Sequence, residues 1–504
     1  MAPTYTVEIT FNRAKNLPVA DISTLSCDPY ILAEAIIPDV EPLKFRTPTI
    51  RRNRDPTWDA TWLVSGVPAS GFKLLMILYD EDPGEPSDDR LGKALARFGP
   101  EQMKEGFESM ETEYTLQKRR GDLHPYILTY LTALLPGEKL KKHNRVIASV
   151  RVLRKDADQK DDLRMYTLGP NRYSRHFSPL IGSIVNKAPR KDANDSDGQT
   201  DGQGAALSAT TFIANKVQLA GPVPRELRHR FVGYRPFINW MFADSGIAGR
   251  ILYHGLRRQY RTVYMCDKRT VWGVVDAPDE GKDDGASEAL ARQFLDMTAW
   301  GEGAKLFTYV ITLDGEWRFT ETGPEFGIDL LSKHSMHADL AKEIAYSGEF
   351  FVRPKDAAKE KQLQESEADD AAQKDASRTP KDYELIIDND SGTYRPKKEL
   401  LPVLQEWLAD ARRLGGLGGV RAMDGFDEEL KGMKAERAKE KEALTGVKDG
   451  DKKGKGKGRM VPVRQGTSVS SISSGQIGRG SVSSGEVEDT LKKMDKPDGE
   501  KEKT

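Results

Sequence analysis

Long apolar runs are missing from this chain of 504 residues: no stretch of about 18 apolar residues occurs, so nothing is expected to span a bilayer, and any membrane contact is peripheral. Cysteine is nearly absent. Cys27 and Cys266 are isolated thiols, which excludes a disulfide framework and a zinc cluster and points to a reducing compartment, the cytoplasm. The N-terminal MAPTYTVEITF has no basic region followed by an apolar stretch, so no secretory signal is expected. A charge excess of one sign is also missing, with 77 Lys and Arg against 78 Asp and Glu. Such balance gives no global attraction to nucleic acid, which is not expected as a partner; electrostatic recognition has to be local. Catalytic signatures are lacking too. Ser245 lies in ADSGIAG without the first glycine of a nucleophile elbow, and neither a G-x-x-x-x-G-K-[ST] loop nor an H-E-x-x-H helix occurs. No motif marks the chain as an enzyme.

What is present divides the chain in four. Residues 1–154 read as an all-β antiparallel sandwich: YTVEITFNRAKNL, DPYILAEAII, KFRTPTI, ATWLVSGV and FKLLMILYD alternate or run apolar at strand length between Pro, Gly, Asp and Asn, and RVIASVRVLRK closes the set. Trp58 and Trp62 are expected at its corner and core. An insertion at about 121–143, with an apolar part at 126–135 followed by Lys139, Lys141 and Lys142, reads as a helix packed on the protein, with an interfacial helix as the competing reading. Residues 155–209 are polar and rich in Gly and Asp, the composition of a largely disordered linker, with MYTLGPNRYSRHFSPLIGSIVN as a more ordered part that belongs to the following unit. Residues 210–430 mix helical and strand patterns, an α+β unit with a charged insert at 355–381; residues 431–504 are a low-complexity tail with a basic cluster, KKGKGKGR, and a Ser/Gly-rich stretch.

The strongest chemical signal is a pair of aspartate bursts at strand ends. Asp21 and Asp28 lie in NLPVADISTLSCDPYIL; Asp80, Asp82 and Asp89 lie in LYDEDPGEPSDDRLG. Aspartate is also a common turn former beside Pro and Gly, and that is the competing reading of each one singly. Five carboxylates gathered at one tip repel one another unless a cation sits among them, and calcium favours flexible sites with oxygen ligands only. The segments LPVAD, CDPYIL, RRNRDPTWDATW and YDEDPGEPSDDRLG resemble the C2 domain over residues 4–118 and as far as 154. The resemblance implies that Asp21 and Asp28 of a first loop and Asp80, Asp82 and Asp89 of a third ligate calcium, with Asp88 as a possible substitute for Asp89. Both loops are one residue longer than the commonest family spacing, and Asp55 stands where the family's corner carries Asn. The chain as a whole resembles filamentous-fungal proteins with an N-terminal C2 domain and a downstream region to which no chemistry is attached.

Elsewhere the signals are weaker. In 210–430 the pattern predicts helices over PRELRHRFVGYRPFINWMF, GRILYHGLRRQYRT, SEALARQFLDMTAW, GIDLLSKHSMHADLAKEIAYSG and KKELLPVLQEWLADARR. It predicts hairpins turning at Asp267–Lys268 and at Asp314–Gly315. His334 and His337 are three apart and read as ordinary helix-face histidines rather than metal ligands. DNDSG at 388–392 reads as a turn, since its glycine comes one place early for a calcium loop.

The expected function is calcium-dependent binding of an anionic phospholipid membrane by the N-terminal module. Ile22 and Leu25 are candidates to dip into the headgroups, and Arg46, Arg51 and Arg52 to meet anionic lipid, with loop packing and a solvated strand face as the respective alternatives. The 210–430 unit is then an adaptor or scaffold with its own protein partner; a lipid-modifying enzyme targeted by the same module is the competing class. The acidic crown is expected to have no basic partner before calcium arrives.

Overall fold

The computed structural model describes residues 3–21, 24–82, 88–117, 127, 144–156, 164–178, 212–230, 246–264, 266, 269–275, 286–322, 335–339, 341, 343–355, 378–390 and 395–445. Apart from Ile127, the expected insertion at 121–143 lies outside them, as do residues 356–377 of the charged insert, most of the 155–209 segment and the tail beyond 445. Residues Met1–Gly446 group into one compact unit.

Alternation of buried and exposed side chains builds the N-terminal sandwich. One sheet runs β7 (Glu108–Thr115), β8 (Arg145–Lys155), β1 (Thr4–Lys15), β4 (Thr57–Pro68) and β9 (Tyr166–Gly169); the other runs β3 (Leu43–Arg46), β2 (Pro29–Ile36), β5 (Phe72–Asp80) and β6 (Asp89–Phe98). All pairings are antiparallel. Val7, Ile9 and Phe11 of β1 alternate inward with Trp62 and Val64 of β4 and meet Ile31, Ala33, Leu74, Met76 and Leu78 of the opposite sheet. Trp62 is fully buried and Trp58 packs at the edge of this core.

Most of the described part of the expected linker lies in the stretch read as its more ordered part, from Met165 on. Its residues 166–169 form β9, a fifth strand on the sandwich edge, and Thr167 Oγ1 accepts the indole N–H of Trp62 at 3.0 Å. Gly66, at φ 77°, allows this docking, because a Cβ there would collide with the carbonyl of Arg164. Asp156 completes the joint: its carboxylate accepts Ser65 Oγ and Gly66 N, both at 2.9 Å, and Thr6 Oγ1 at 2.5 Å.

The chain passes directly from β9 into an eight-stranded sheet. Its order is β13 (Val271–Val275), β10 (Asn171–Ser178), β11 (Phe212–Gln218), β15 (Glu316–Glu321), β14 (Phe307–Ile311), β17 (Tyr346–Pro354), β18 (Tyr383–Asp388) and β19 (Gly419–Met423), antiparallel except for β18 and β19. A ribbon of β12 (His229–Arg230) and β16 (Glu343–Ile344) stands beside it. Strand alternation sends Tyr173, Val217, Trp317, Phe319 and Phe350 to one face, where helices α2 (Ala286–Met297) and α4 (Leu401–Ala409) bring Phe294, Leu404 and Trp407. Arg172, Ser174, His176, Lys216 and Arg318 take the other face. That face looks across a cavity of about 620 Å³ to Tyr30 and Arg46 of the sandwich, with helix α1 (Gly246–Val263) on its rim.

Several expectations change here. The hairpin at Asp314 and Gly315 forms, with Gly315 at φ 80°. The turn expected at Asp267–Lys268 lies outside the described residues; on its two sides α1 runs on to Val263, where a strand was expected, and Val271–Val275 pairs with β10. The long helix expected over 327–348 is, among the described residues, a single turn α3 (Ser335–Ala338), stopped by Asp339 at φ 44° and followed by β16. Of the helix expected over 224–242, the described part is a short 3₁₀ turn (Arg225–Leu227) and β12. The unit also extends past 430. Helix α5 (Glu428–Thr445) buries Leu430 and Met433 against Phe351, Ile386 and Met423, and its Lys434 Nζ lies 2.7 Å from carboxylates of both Asp388 and Glu349.

Candidate functional site

Antiparallel register brings the two aspartate bursts to one end of the sandwich. Pro29, the first residue of β2, pairs with Asp80, the last of β5, and Asp80 pairs in turn with Asp89, the first of β6. The loop before β2 folds back through an Asp21–Ser26 bridge. A ligand oxygen from each of Asp21, Asp80 and Asp82 therefore lies within 4.8 Å of the other two. Among the described residues no Lys or Arg side chain forms an ion pair with any of these three.

The missing counter-charge is visible in their proton affinities. Asp80 is 1% exposed; burial first, then the neighbouring Asp82, Asp21 and Asp28, push its carboxyl up to about 8 against one backbone hydrogen bond. Asp82 is pushed up to about 7, again by burial and then by Asp89, Asp88 and Asp21. Asp21 is raised also, by burial and Asp28, with Thr24 and Arg51 opposing. Each like-charge pair costs about 3 kcal/mol at this separation with an effective dielectric near 20. A three-carboxylate, oxygen-only donor set holding its protons this tightly fits a hard divalent cation.

The other two expected ligands are placed differently. Asp28 already has a cation: Arg51 Nη1 lies 2.8 Å from Oδ2, while the backbone N–H of Arg52 donates to Oδ1 at 2.7 Å. Its own backbone N–H donates to Asp80. The crown is thus not free of basic partners; Arg51 holds one of its members. Asp89 adjoins the cluster through its backbone N–H, which donates to Asp82 Oδ2 at 3.3 Å. Asp88 borders the cluster, its Oδ1 accepting the backbone N–H of Asp82 at 3.4 Å, but it also accepts Tyr30 Oη at 2.8 Å and Arg261 Nη2 of α1 at 2.6 Å.

The expected lipid-contacting residues split in the same way. Leu25 is 41% exposed at φ 51°, and Arg52 is exposed; Ile22 lies outside the described residues. Arg46 and Arg51 are both clamped by Glu81, at 2.6 and 2.7 Å. Arg46 is further sandwiched 3.8 Å over the Tyr30 ring and 4.6 Å over Trp272 of the second sheet, so its guanidinium is internal rather than membrane-facing. Sequence reasoning had passed over Glu81. Strand alternation is the signal that finds it: between Asp80 and Asp82 it points to the opposite side, toward the arginines.

The inter-sheet cavity holds a second polar group of side chains. Cys266 Sγ lies 3.1 Å from His176 Nδ1, and His176 Nε2 lies 2.8 Å from Ser174 Oγ. Burial pushes the thiol far above and the imidazole well below their ordinary values. A protonated thiol beside a neutral imidazole is not an activated nucleophile. His337 is likewise structural, fully buried with Nδ1 2.8 Å from Tyr264 Oη; His334 lies outside the described residues. Asp388, the first residue of DNDSG, accepts Glu349 N and Asp390 N at 2.9 and 2.7 Å and is paired with Lys434; Ser391 and Gly392 of that stretch lie outside the described residues.

Among solved structures, the chain is similar to the C2A domain of a plant Extended Synaptotagmin 1, at 13% identity and TM-score 0.24 over 31% of this chain and 100% of that one. It is also similar to a human GIVD cytosolic phospholipase A2, at 14% identity and TM-score 0.22 over 35% of this chain and 21% of that one, so it spans about a fifth of that enzyme. A third is Extended-Synaptotagmin 2, C2A- and C2B-domains, at 19% identity and TM-score 0.20 over 35% of this chain and 55% of that one. No curated protein matches the chain. Residues 5–112 match the family model described as C2 domain, which covers β1 to β6 and the strand ends that carry all five aspartates: the N-terminal sandwich is a C2 domain.

Proposed function

We propose that this C2 domain binds anionic phospholipid under calcium control and thereby carries the eight-stranded unit to a membrane as an adaptor. C2 domains typically bind calcium, and the family generally binds membrane phospholipids. The observation that carries the reading for this chain is the cluster of Asp21, Asp80 and Asp82, three carboxylates within 4.8 Å of one another with no basic partner among the described residues. They would hold the ion, with Asp28 joining once Arg51 releases it. A bound ion supplies positive charge and coordination positions for lipid phosphate or carboxylate oxygens. Because the ion displaces the protons that burial holds on Asp80 and Asp82, it changes the tip by up to two charges, worth at most on the order of 2 kcal/mol against an anionic leaflet, up to a roughly thirtyfold gain in affinity that is largest above pH 8. Leu25 and Arg52, exposed beside the cluster, are then the groups to enter the headgroup layer.

The adaptor reading is favoured over a lipid-modifying enzyme because no nucleophile elbow, phosphate loop or H-E-x-x-H occurs in the sequence, and the burial of the Cys266–His176 pair in the cavity disfavours the charged forms of both side chains. A partner protein engaged through residues 210–430 completes the proposal. The test is co-sedimentation of the full chain with phosphatidylserine vesicles. Pelleting in calcium and release by chelator are expected, and Asp80→Asn with Asp82→Asn is expected to remove the difference. Equal pelleting in both conditions would reject calcium control.

A further inference from the structure

Helix α1 (Gly246–Val263) has no acidic residue in GIAGRILYHGLRRQYRTV and carries four arginines and a histidine. At 3.6 residues per turn, Arg257, Arg250, Arg261, His254, Ile247, Arg258 and Ile251 fall within an arc of about 120°. The opposite stripe holds Leu256 and Val263, both buried, and Tyr260 packs beside them against Phe212, Ala214 and Met336. On the outer arc Ile247 is 83% and Ile251 67% exposed, the most exposed large apolar side chains described. Arg250 and His254 are exposed as well, and Arg257 and Arg258 are exposed where the helix borders the inter-sheet cavity. A helix with this division, basic and apolar side chains together on its outer face, is built to lie in the interface of an anionic bilayer.

Its position adds a second argument. Arg261, at the C-terminal end of α1, bonds Asp88 at 2.6 Å, and Asp88 Oδ1 accepts the backbone N–H of Asp82 at 3.4 Å. The helix therefore leaves from beside the acidic cluster, where a membrane docked on the C2 loops would be. Nucleic acid or an acidic protein would match the arginines, but neither rewards two adjacent bare isoleucines as a hydrocarbon boundary does.

We propose that α1 is a second membrane-contacting element, independent of calcium, which lies on an anionic bilayer with Ile247 and Ile251 inserted and its arginines at the headgroups. It is a standing weak tether; calcium at the neighbouring loops adds to it.

Both native cysteines are buried, so an environment-sensitive dye on Ile251→Cys in the full chain reports this helix alone. In chelator, vesicles of phosphatidylserine and phosphatidylcholine are expected to shift its emission to the blue. Ile247→Asp and Arg250→Glu, both on the exposed face, are each expected to weaken that calcium-independent partitioning about tenfold. Asp80→Asn with Asp82→Asn should leave the shift intact while removing any calcium-dependent step, which separates this inference from the calcium reading. An unchanged emission on anionic vesicles in chelator overturns it, and so does an equal shift on pure phosphatidylcholine. A shift produced by duplex DNA or polyglutamate but not by vesicles would assign the face to those partners instead.

Discussion

Replacing Asp80 by Asn should stabilise the calcium-free protein and abolish its response to calcium. Asp80 is 1% exposed and shares its surroundings with two carboxylates, and its carboxyl is pushed up to about 8. The folded chain holds this proton more tightly than the unfolded chain, so the group's contribution to stability falls as pH rises from its ordinary 3.8 toward 8 and is flat above that. At pH 7 the interval above 3.8, at about 1.36 kcal/mol per pH unit, comes to about 4 kcal/mol of destabilisation. Asn keeps an oxygen to accept the Asp28 backbone N–H and removes the charge. In chelator at pH 7 the unfolding free energy of Asp80→Asn, from urea denaturation of the full chain, is expected to rise by up to about 4 kcal/mol, and the gain should vanish near pH 4. Calcium at a hundred times its dissociation constant should stabilise the unsubstituted protein by about 2.7 kcal/mol and leave the variant unmoved. A variant less stable than its parent in chelator would show that Asp80 serves the fold, and a preserved calcium response would remove it from the site.

Three further outcomes are expected. Arg51→Gln frees Asp28 and takes one positive charge from the rim of the cluster, so calcium should bind roughly fivefold tighter by calorimetry, about 1 kcal/mol. Lys434→Met strands the buried Asp388 and Glu349, which should cost about 3–5 kcal/mol of stability, and truncation before α5 should cost at least as much. Burial pushes Glu316 up, but Arg318, Lys216 and Arg46 outweigh it and hold it at about 2. Its stabilisation is therefore complete above its ordinary 4.5 and lost as pH falls to about 2, so Glu316→Gln should be less stable at pH 6 and unfold with a shallower acid dependence between those limits.

The sandwich was legible because its information is local: strands of period two, turn residues between them, and aspartates exactly where strands stop. The meeting of Asp21 with Asp80 and Asp82 followed from two strand ends lying side by side. What the sequence hid was long-range. β9 lies in the part of the linker that reads as ordered, but its pairing with the free edge of β4, about a hundred residues earlier, leaves no mark in the sequence. Arg51 and Arg46 were legible as charges but not as partners of Glu81, since a basic run reads the same whether it faces solvent or a buried carboxylate. In the second unit, the strongly periodic α2 and the Asp-Gly hairpin are legible, whereas of the helix expected around His337 the described part is one turn, ended where Asp339 takes φ 44°. The basic face of α1 was in plain sight as a sequence; its significance needed the structure to reveal which side was left bare.

The most direct measurement is a crystal of the full chain soaked in calcium chloride. An ion is expected between Asp21, Asp80 and Asp82, with oxygens at about 2.3–2.6 Å. Three empty carboxylates at millimolar calcium, or Arg51 swung in to bridge them, would contradict it.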